Sequence, residues 1–198
     1  MPANHNRHPL LLQPDASVLV VIDLQEPFLR NVWQRGRVVR NAGLLIRGCG
    51  ILGVPVLPTL QYARRMGGVI PEIAGVLPPR CNPVDKLCFS CAGSADFVGR
   101  LERAGRRQVI LCGVETHICV CQTALDLVQA GYQVHVAADA VSSRGELNWR
   151  LGLKRIEQGG AFTVSTEGVL YELMVRAGTA EFKQIVDLVK EAAPEEGT

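Results

Sequence analysis

An α/β fold with a parallel sheet, helices on both faces, is predicted for this 198-residue chain from three observations. Short Val-, Ile- and Leu-rich runs are apolar on both faces, as strands covered by helices on each side must be. Segments with apolar residues at helical spacing lie between these runs. The strand–helix alternation recurs five or six times, which builds a parallel sheet with right-handed crossovers. Ligands of such sheets bind where the strands end at their carboxyl edge.

The first strand is Val18–Ile22, a continuous apolar run ending in Asp23. A short helix over Leu24–Leu29 follows, with Pro27 in its first turn. Helix Val38–Leu52 is ended by Gly53-Val54-Pro55 and leads into strand Val54–Leu60. Val84–Phe89 is the third strand. Ser94 caps a helix over Ala95–Ala104, which Gly105 stops. Strand Gln108–Cys112, helix Thr116–Ala130 and strand Tyr132–Ala137 come next, then helix Glu146–Gln158 up to Gly159-Gly160. Strand Ala161–Val164 and helices Thr166–Ala177 and Ala180–Ala192 complete the set.

Composition narrows the function classes. A net charge of +2 lacks the basic excess of a nucleic-acid binder, and no stretch approaches the ~20 apolar residues of a membrane span. Met1–Pro14 has two histidines, an arginine and a three-residue apolar run, unlike a signal peptide. A cytoplasmic protein with reduced thiols is expected, although it has seven cysteines. Residues 1–15 read as a flexible arm, 16–192 as a single domain and 193–198 as a tail.

Several motifs are weak. Gly48-Cys49-Gly50-Ile51-Leu52-Gly53 spells a dinucleotide fingerprint, but it closes a helix instead of opening one. Cys88-Phe89-Ser90-Cys91 lacks the second ligand pair of a zinc site, because Cys119-Val120-Cys121 has the wrong spacing. His5 and His8 fall in the arm, and His135 alternates with valines as a packed or rim histidine.

Three residues are stronger. Asp23 at the end of an apolar strand is either a helix N-cap or an acid/base at the sheet's carboxyl edge. Lys86 is one of four lysines against 17 arginines, and the only one in an apolar strand; it is a surface edge-strand lysine or the partner of a carboxylate. Cys119 falls in the first turn of a helix, where free amides and the macrodipole lower a thiol's pKa and can hold an oxyanion. Cys49, Cys81, Cys112 and Cys121 read as packing residues.

At these positions the sequence resembles the isochorismatase-like cysteine hydrolases. The resemblance rests on Asp23-Leu24-Gln25, on Lys86 followed by Phe89-Ser90, on Gly113-Val114-Glu115-Thr116-His117-Ile118-Cys119-Val120, and on Asp139–Arg144. Lys86 follows Asp23 by 63 residues and Cys119 follows Lys86 by 33, and the likeness runs from Ala16 to Lys190. Asp23, Gln25 and Phe28, with Ser165-Thr166-Glu167-Gly168, are most similar to isochorismatase-domain proteins of unassigned substrate.

The resemblance implies a six-stranded sheet of order 3-2-1-4-5-6 and an Asp23-Lys86-Cys119 triad. It also implies a non-proline cis peptide at Val114–Glu115, an oxyanion hole from the Ile118 and Cys119 N–H groups, and a homo-oligomer. Gln25, Phe28, Tyr62, Phe89 and His117 are the candidate pocket residues, and Arg64 or Arg65 is a fork for a substrate carboxylate or a solvated loop arginine. Nicotinamidases of this superfamily carry an Asp-x-His metal site after strand two. Here that stretch reads Thr59-Leu60-Gln61-Tyr62-Ala63-Arg64-Arg65, with neither ligand, so no metal or other cofactor is expected. The reading is a metal-independent hydrolase of a C–N bond in a small-molecule substrate. An idle interaction protein of the same fold, or a redox protein using Cys88, Cys91 and Cys119, is the alternative.

Overall fold

The structure is a computed structural model and describes residues 7–192. Six parallel strands run β1 (Ser17–Ile22), β2 (Val56–Gln61), β3 (Val84–Lys86), β4 (Gln108–Val114), β5 (Gln133–Ser142) and β6 (Phe162–Val164). Their order across the sheet is β3-β2-β1-β4-β5-β6. The chain therefore starts in the middle, winds to one edge, and crosses back beyond β1. The switch point falls between β1 and β4, whose pairing runs from Ser17 opposite Gln108 to Ile22 opposite Gly113.

All six residues of β1 are buried because each face is covered. Leu19 and Val21 point into one apolar cluster with residues of α2 (Arg35–Ile51), α8 (Thr166–Met174) and α9 (Ala180–Ala192). Val18, Val20 and Ile22 point into the other, with residues of α5 (Ala95–Ala104), α6 (Cys121–Gln129) and α7 (Glu146–Gln158). This is the three-layer architecture that the unbroken apolar strands call for. Three one-turn helices were not visible as patterns or were longer in sequence: α1 (Glu26–Leu29), α3 (Ala63–Met66) and α4 (Pro71–Ala74).

The Gly48–Gly53 segment closes α2 as its position requires. A Cβ on Gly48 would stand 2.3 Å from Leu170 Cδ2, so this glycine lets α2 approach α8. The motif is a packing device, not a phosphate cradle.

Four expectations need correction. Residues 7–15 are not a free arm: Leu12 is fully buried, its N–H donates to Glu172 at 2.8 Å, and Gln13 N–H donates to Gln108 Oε1 at 2.8 Å. His5 and the 193–198 tail lie outside the described residues. The third strand stops at Lys86 instead of Phe89, because the chain then turns to wrap the lysine's ammonium group. Helix Thr116–Ala130 is two pieces, a π-helical turn over Thr116–Val120 and then α6. Strand five runs on to Ser142 through a register shift opposite Leu111–Gly113. The carbonyls freed there are taken up by α2: Arg37 donates to Ala138 O and Val141 O at 3.2 and 3.3 Å, and Asn41 to Asp139 O at 2.9 Å.

His135 is packed, 2% exposed, with its ring 5.2 Å from that of Phe162. Neither ring nitrogen has a hydrogen-bond partner among the described residues, and burial pushes its pKa down to about 4. The unfolded chain binds this proton below about pH 6.5 and the folded chain only near pH 4, so stability is full above pH 6.5 and falls as pH drops through that window. His135→Leu should remove about 3 kcal/mol of the acid-induced loss between pH 6.5 and 4, measured by urea unfolding at both values.

Candidate active site

Three strand ends converge at the carboxyl edge. Asp23 follows β1 with a left-handed backbone (φ 53°), a conformation that Asp tolerates better than most residues. This turn aims its carboxylate sideways, toward β2 and β3, instead of along the chain. The N-cap reading of Asp23 is thereby overturned: α1 starts at Glu26 behind Gln25, with no side-chain cap. Beside it, Gly113 of β4 takes φ 117°, and a Cβ there would lie 2.0 Å from Ile22 O. Only glycine allows β4 to come this close to the residue before Asp23.

Asp23 is 1% exposed and its two oxygens are separately held. Oδ1 accepts from Thr59 Oγ1 at 2.8 Å and Oδ2 from Lys86 Nζ at 2.7 Å. Lys86 also donates to Gln61 Oε1 at 2.7 Å and reaches the carbonyls of Phe89 and Cys88 at 3.2 and 3.4 Å. Burial works against the ammonium charge, but the adjacent Asp23 carboxylate outweighs it and holds the Lys86 pKa above its ordinary value. The surface alternative for Lys86 falls with this: β3 is an edge strand, but the lysine side chain is fully buried.

Thr59 and Gln61 are the residues that sequence reasoning passed over, noting only that they are not metal ligands. Their signal was available: they end β2 at the same edge that singles out Asp23. Gln61 bridges Lys86 to the backbone, donating from Nε2 to Leu87 O at 2.8 Å. Gln25 holds this strand end in turn, accepting from Gln61 N–H at 2.7 Å and donating to Gly67 O at 2.7 Å. Gln25 is a buried clamp and not a pocket residue.

Cys119 arrives from the other side of the switch point, on the π-helical turn after β4, and is 7% exposed. The Val114–Glu115 peptide before this turn is cis. α7 backs the turn closely, since a Cβ on Gly152 would sit 2.9 Å from His117 N. Cys119 shares a cleft of about 50 Å³ with Asp23, Phe28, Gln61, Phe89, Val114, Glu115 and Ile118.

The expectation of a lowered thiol pKa is overturned. Burial, and after it the Asp23 carboxylate, push Cys119 up to about 12, although Lys86 pulls the other way. A single turn's dipole does not offset a buried neighbouring carboxylate. The thiol is protonated at neutral pH. Of the two amides expected at an oxyanion, that of Ile118 already donates to Glu115 O at 3.0 Å. An oxyanion there would have to compete with that bond.

Besides Gln25, two further candidate pocket residues lie off the cleft. Tyr62 is exposed with Arg65 over its ring, and Arg64 and Arg65 are likewise exposed. His117 turns to Ser143, with Nδ1 and Oγ 2.9 Å apart, and burial lowers its pKa. Cys91 is fully buried at the start of a 3₁₀ turn, its Sγ 3.9 Å from Thr59 Oγ1, and burial pushes its thiol up to about 11. At the cleft's rim, Arg144 Nε donates to Glu115 Oε1 at 2.9 Å.

Residues 17–168 match the Isochorismatase domain, and the chain belongs to the isochorismatase family. The secreted isochorismatase effector Isc1 of Phytophthora sojae is 40% identical over 91% of this chain and 87% of its own length. Human isochorismatase domain-containing protein 2 is 37% identical over 93% and 88%. The solved structure of MAR1 ribonuclease from Caenorhabditis elegans superposes with a TM-score of 0.87 at 33% identity, covering 94% of this chain and 95% of that one. YcaC of Escherichia coli, described as an octameric hydrolase of unknown specificity, shares the fold (TM-score 0.85, 21% identity, 94% and 95% covered). Among the described residues no helix is long and apolar enough to cross a membrane.

A buried ion pair tolerates loss of both partners better than loss of one. Lys86→Met should therefore lower stability by about 3–5 kcal/mol in urea unfolding, and adding Asp23→Asn should recover part of that loss.

Proposed function

We propose that the protein is a metal-independent cysteine hydrolase that cleaves a C–N bond, of an amide, ureido or similar group, in a small molecule. The observation that carries this reading is that Cys119 opens onto the same cleft as Asp23, whose carboxylate Lys86 and Thr59 hold. Thr59 and Gln61, at the end of β2, are occupied in binding Asp23 and Lys86.

In the proposed reaction Asp23 is the general base and Cys119 the nucleophile. Because the thiol is raised to about 12, the resting state is the protonated thiol beside a carboxylate, and the proton moves only as attack occurs. Sγ bonds to the carbonyl carbon, and charge develops on the carbonyl oxygen. The N–H of Cys119, with that of Ile118 once released from Glu115, stabilises it. Asp23 then gives its proton to the leaving nitrogen, the C–N bond breaks, and a thioester remains. Water, deprotonated by Asp23, cleaves the thioester and restores the thiol. Lys86 keeps Asp23 ionised at the start of each half-reaction and fixes its direction.

A cytoplasmic place of action is part of the proposal, as seven thiols suit a reducing compartment. So is assembly into a homo-oligomer, since Leu147 and Leu151 expose an apolar stripe one turn apart on α7. Sedimentation should give a species heavier than 21.5 kDa; a monomer would remove that part.

Turnover on a panel of small amides and ureido compounds tests the chemistry. Cys119→Ala should lower kcat by on the order of 10⁴-fold or more, with the melting temperature nearly unchanged. Full activity in that variant would overturn the assignment.

A further inference from the structure

We infer that the acyl half of the substrate is small, apolar and without negative charge, about two to four non-hydrogen atoms, while the amine half stays outside the cleft. This rests on the cysteine-hydrolase reading and narrows its substrate class. Two observations carry it: the size of the cleft and the two carboxylates, with no cationic side chain, among the residues that line it.

Size sets the upper bound. An apolar protein cavity of about 150 Å³ takes up one benzene molecule. The cleft at Cys119 measures about 50 Å³, a third of that, which suits an acetyl- or propanoyl-sized group and not an aromatic acyl group. Its walls are Phe28, Phe89, Val114 and Ile118. Phe89 is 55% exposed and so stands at the mouth, where a leaving amine passes its ring into water.

Charge and hydrogen bonding set the chemistry. Both Asp23 oxygens are taken by Thr59 and Lys86. Gln61 is taken at both ends, by Lys86 and by Leu87 O. Glu115 binds Arg144 through Oε1. Asp23 and Glu115 are the charged side chains that line the cleft, and no Lys or Arg lines it. A carboxylate on the acyl group would lose its water and face two like charges. The acyl group is therefore selected by shape and by its lack of negative charge, and the amine half is not selected inside the cleft.

The test uses the p-nitrophenyl esters of acetate, hexanoate and benzoate with the full-length protein. In each, Sγ bonds to the acyl carbon, the C–O bond breaks, Asp23 takes the thiol proton, and p-nitrophenolate leaves and is read by its absorbance. Peptide mass spectrometry locates the acyl group. Each rate is divided by that of N-acetylcysteine with the same ester, which removes intrinsic reactivity. The expected result is acylation of Cys119 with acetate favoured over benzoate by about 100-fold or more, and hexanoate between them. Phe89→Ala, a change at an exposed position that the fold tolerates, should narrow the acetate-to-benzoate ratio by about tenfold. Equal normalised rates for acetate and benzoate would overturn the inference and leave the cysteine chemistry standing. A Cys119 that no ester acylates would overturn the cysteine-hydrolase reading and the inference together.

Discussion

Two opposite charges buried at the edge of the sheet constrain everything around them. Asp23 and Lys86 are each almost fully removed from water, and such a pair is tolerated only when its remaining hydrogen-bonding capacity is met. The strand order supplies the means. Because β1, β2 and β3 are successive neighbours, Asp23, Thr59, Gln61 and Lys86 end side by side. Thr59 fills one carboxylate oxygen, and Gln61 with two backbone carbonyls fills the ammonium group. The early end of β3 and the buried amide of Gln25 follow from the same demand.

The second half of the site comes from across the switch point. Gly113 lets β4 close on β1, and Gly152 lets α7 press on the turn that carries Cys119. The thiol is thus set among apolar side chains and beside a carboxylate. That environment favours S–H over S⁻, so the protein's proposed chemistry depends on a base acting at the moment of attack and not on a standing thiolate. The raised Cys91 thiol, buried nearby, has no cleft of its own and behaves as packing.

The sheet was legible because strands buried on both faces cannot hide their composition: Val18–Ile22 and Val109–Cys112 are apolar throughout. The ends of elements were less so. Residues after Lys86 continue an apolar run, yet they leave the sheet because their carbonyls are needed by an ammonium group 63 residues from its carboxylate in sequence. Asp23, Lys86 and Cys119 stood out as polar or nucleophilic groups at strand ends. Thr59 and Gln61 share that edge at the end of β2 but are uncharged and cost less to bury, so they stood out less, and their contacts reveal what they hold. His117 and Tyr62 stood at sound positions along the chain but turn away from the cleft, a matter of side-chain direction that spacing does not encode. The direction of the Cys119 pKa shift was misjudged for a related reason: helix position is local, whereas burial and the Asp23 charge arise from tertiary packing.

The account's central claim is that Asp23 is the base for a thiol it also keeps protonated. Asp23→Asn separates the two effects. Removing the carboxylate leaves Lys86 to act alone on Cys119, so the thiol pKa, followed by thiolate absorbance near 240 nm against Cys119→Ala, should fall. Turnover should fall as well, by about 10²–10⁴-fold, although more thiolate is present. A variant whose activity is retained, or rises with its thiolate fraction, would contradict the claim.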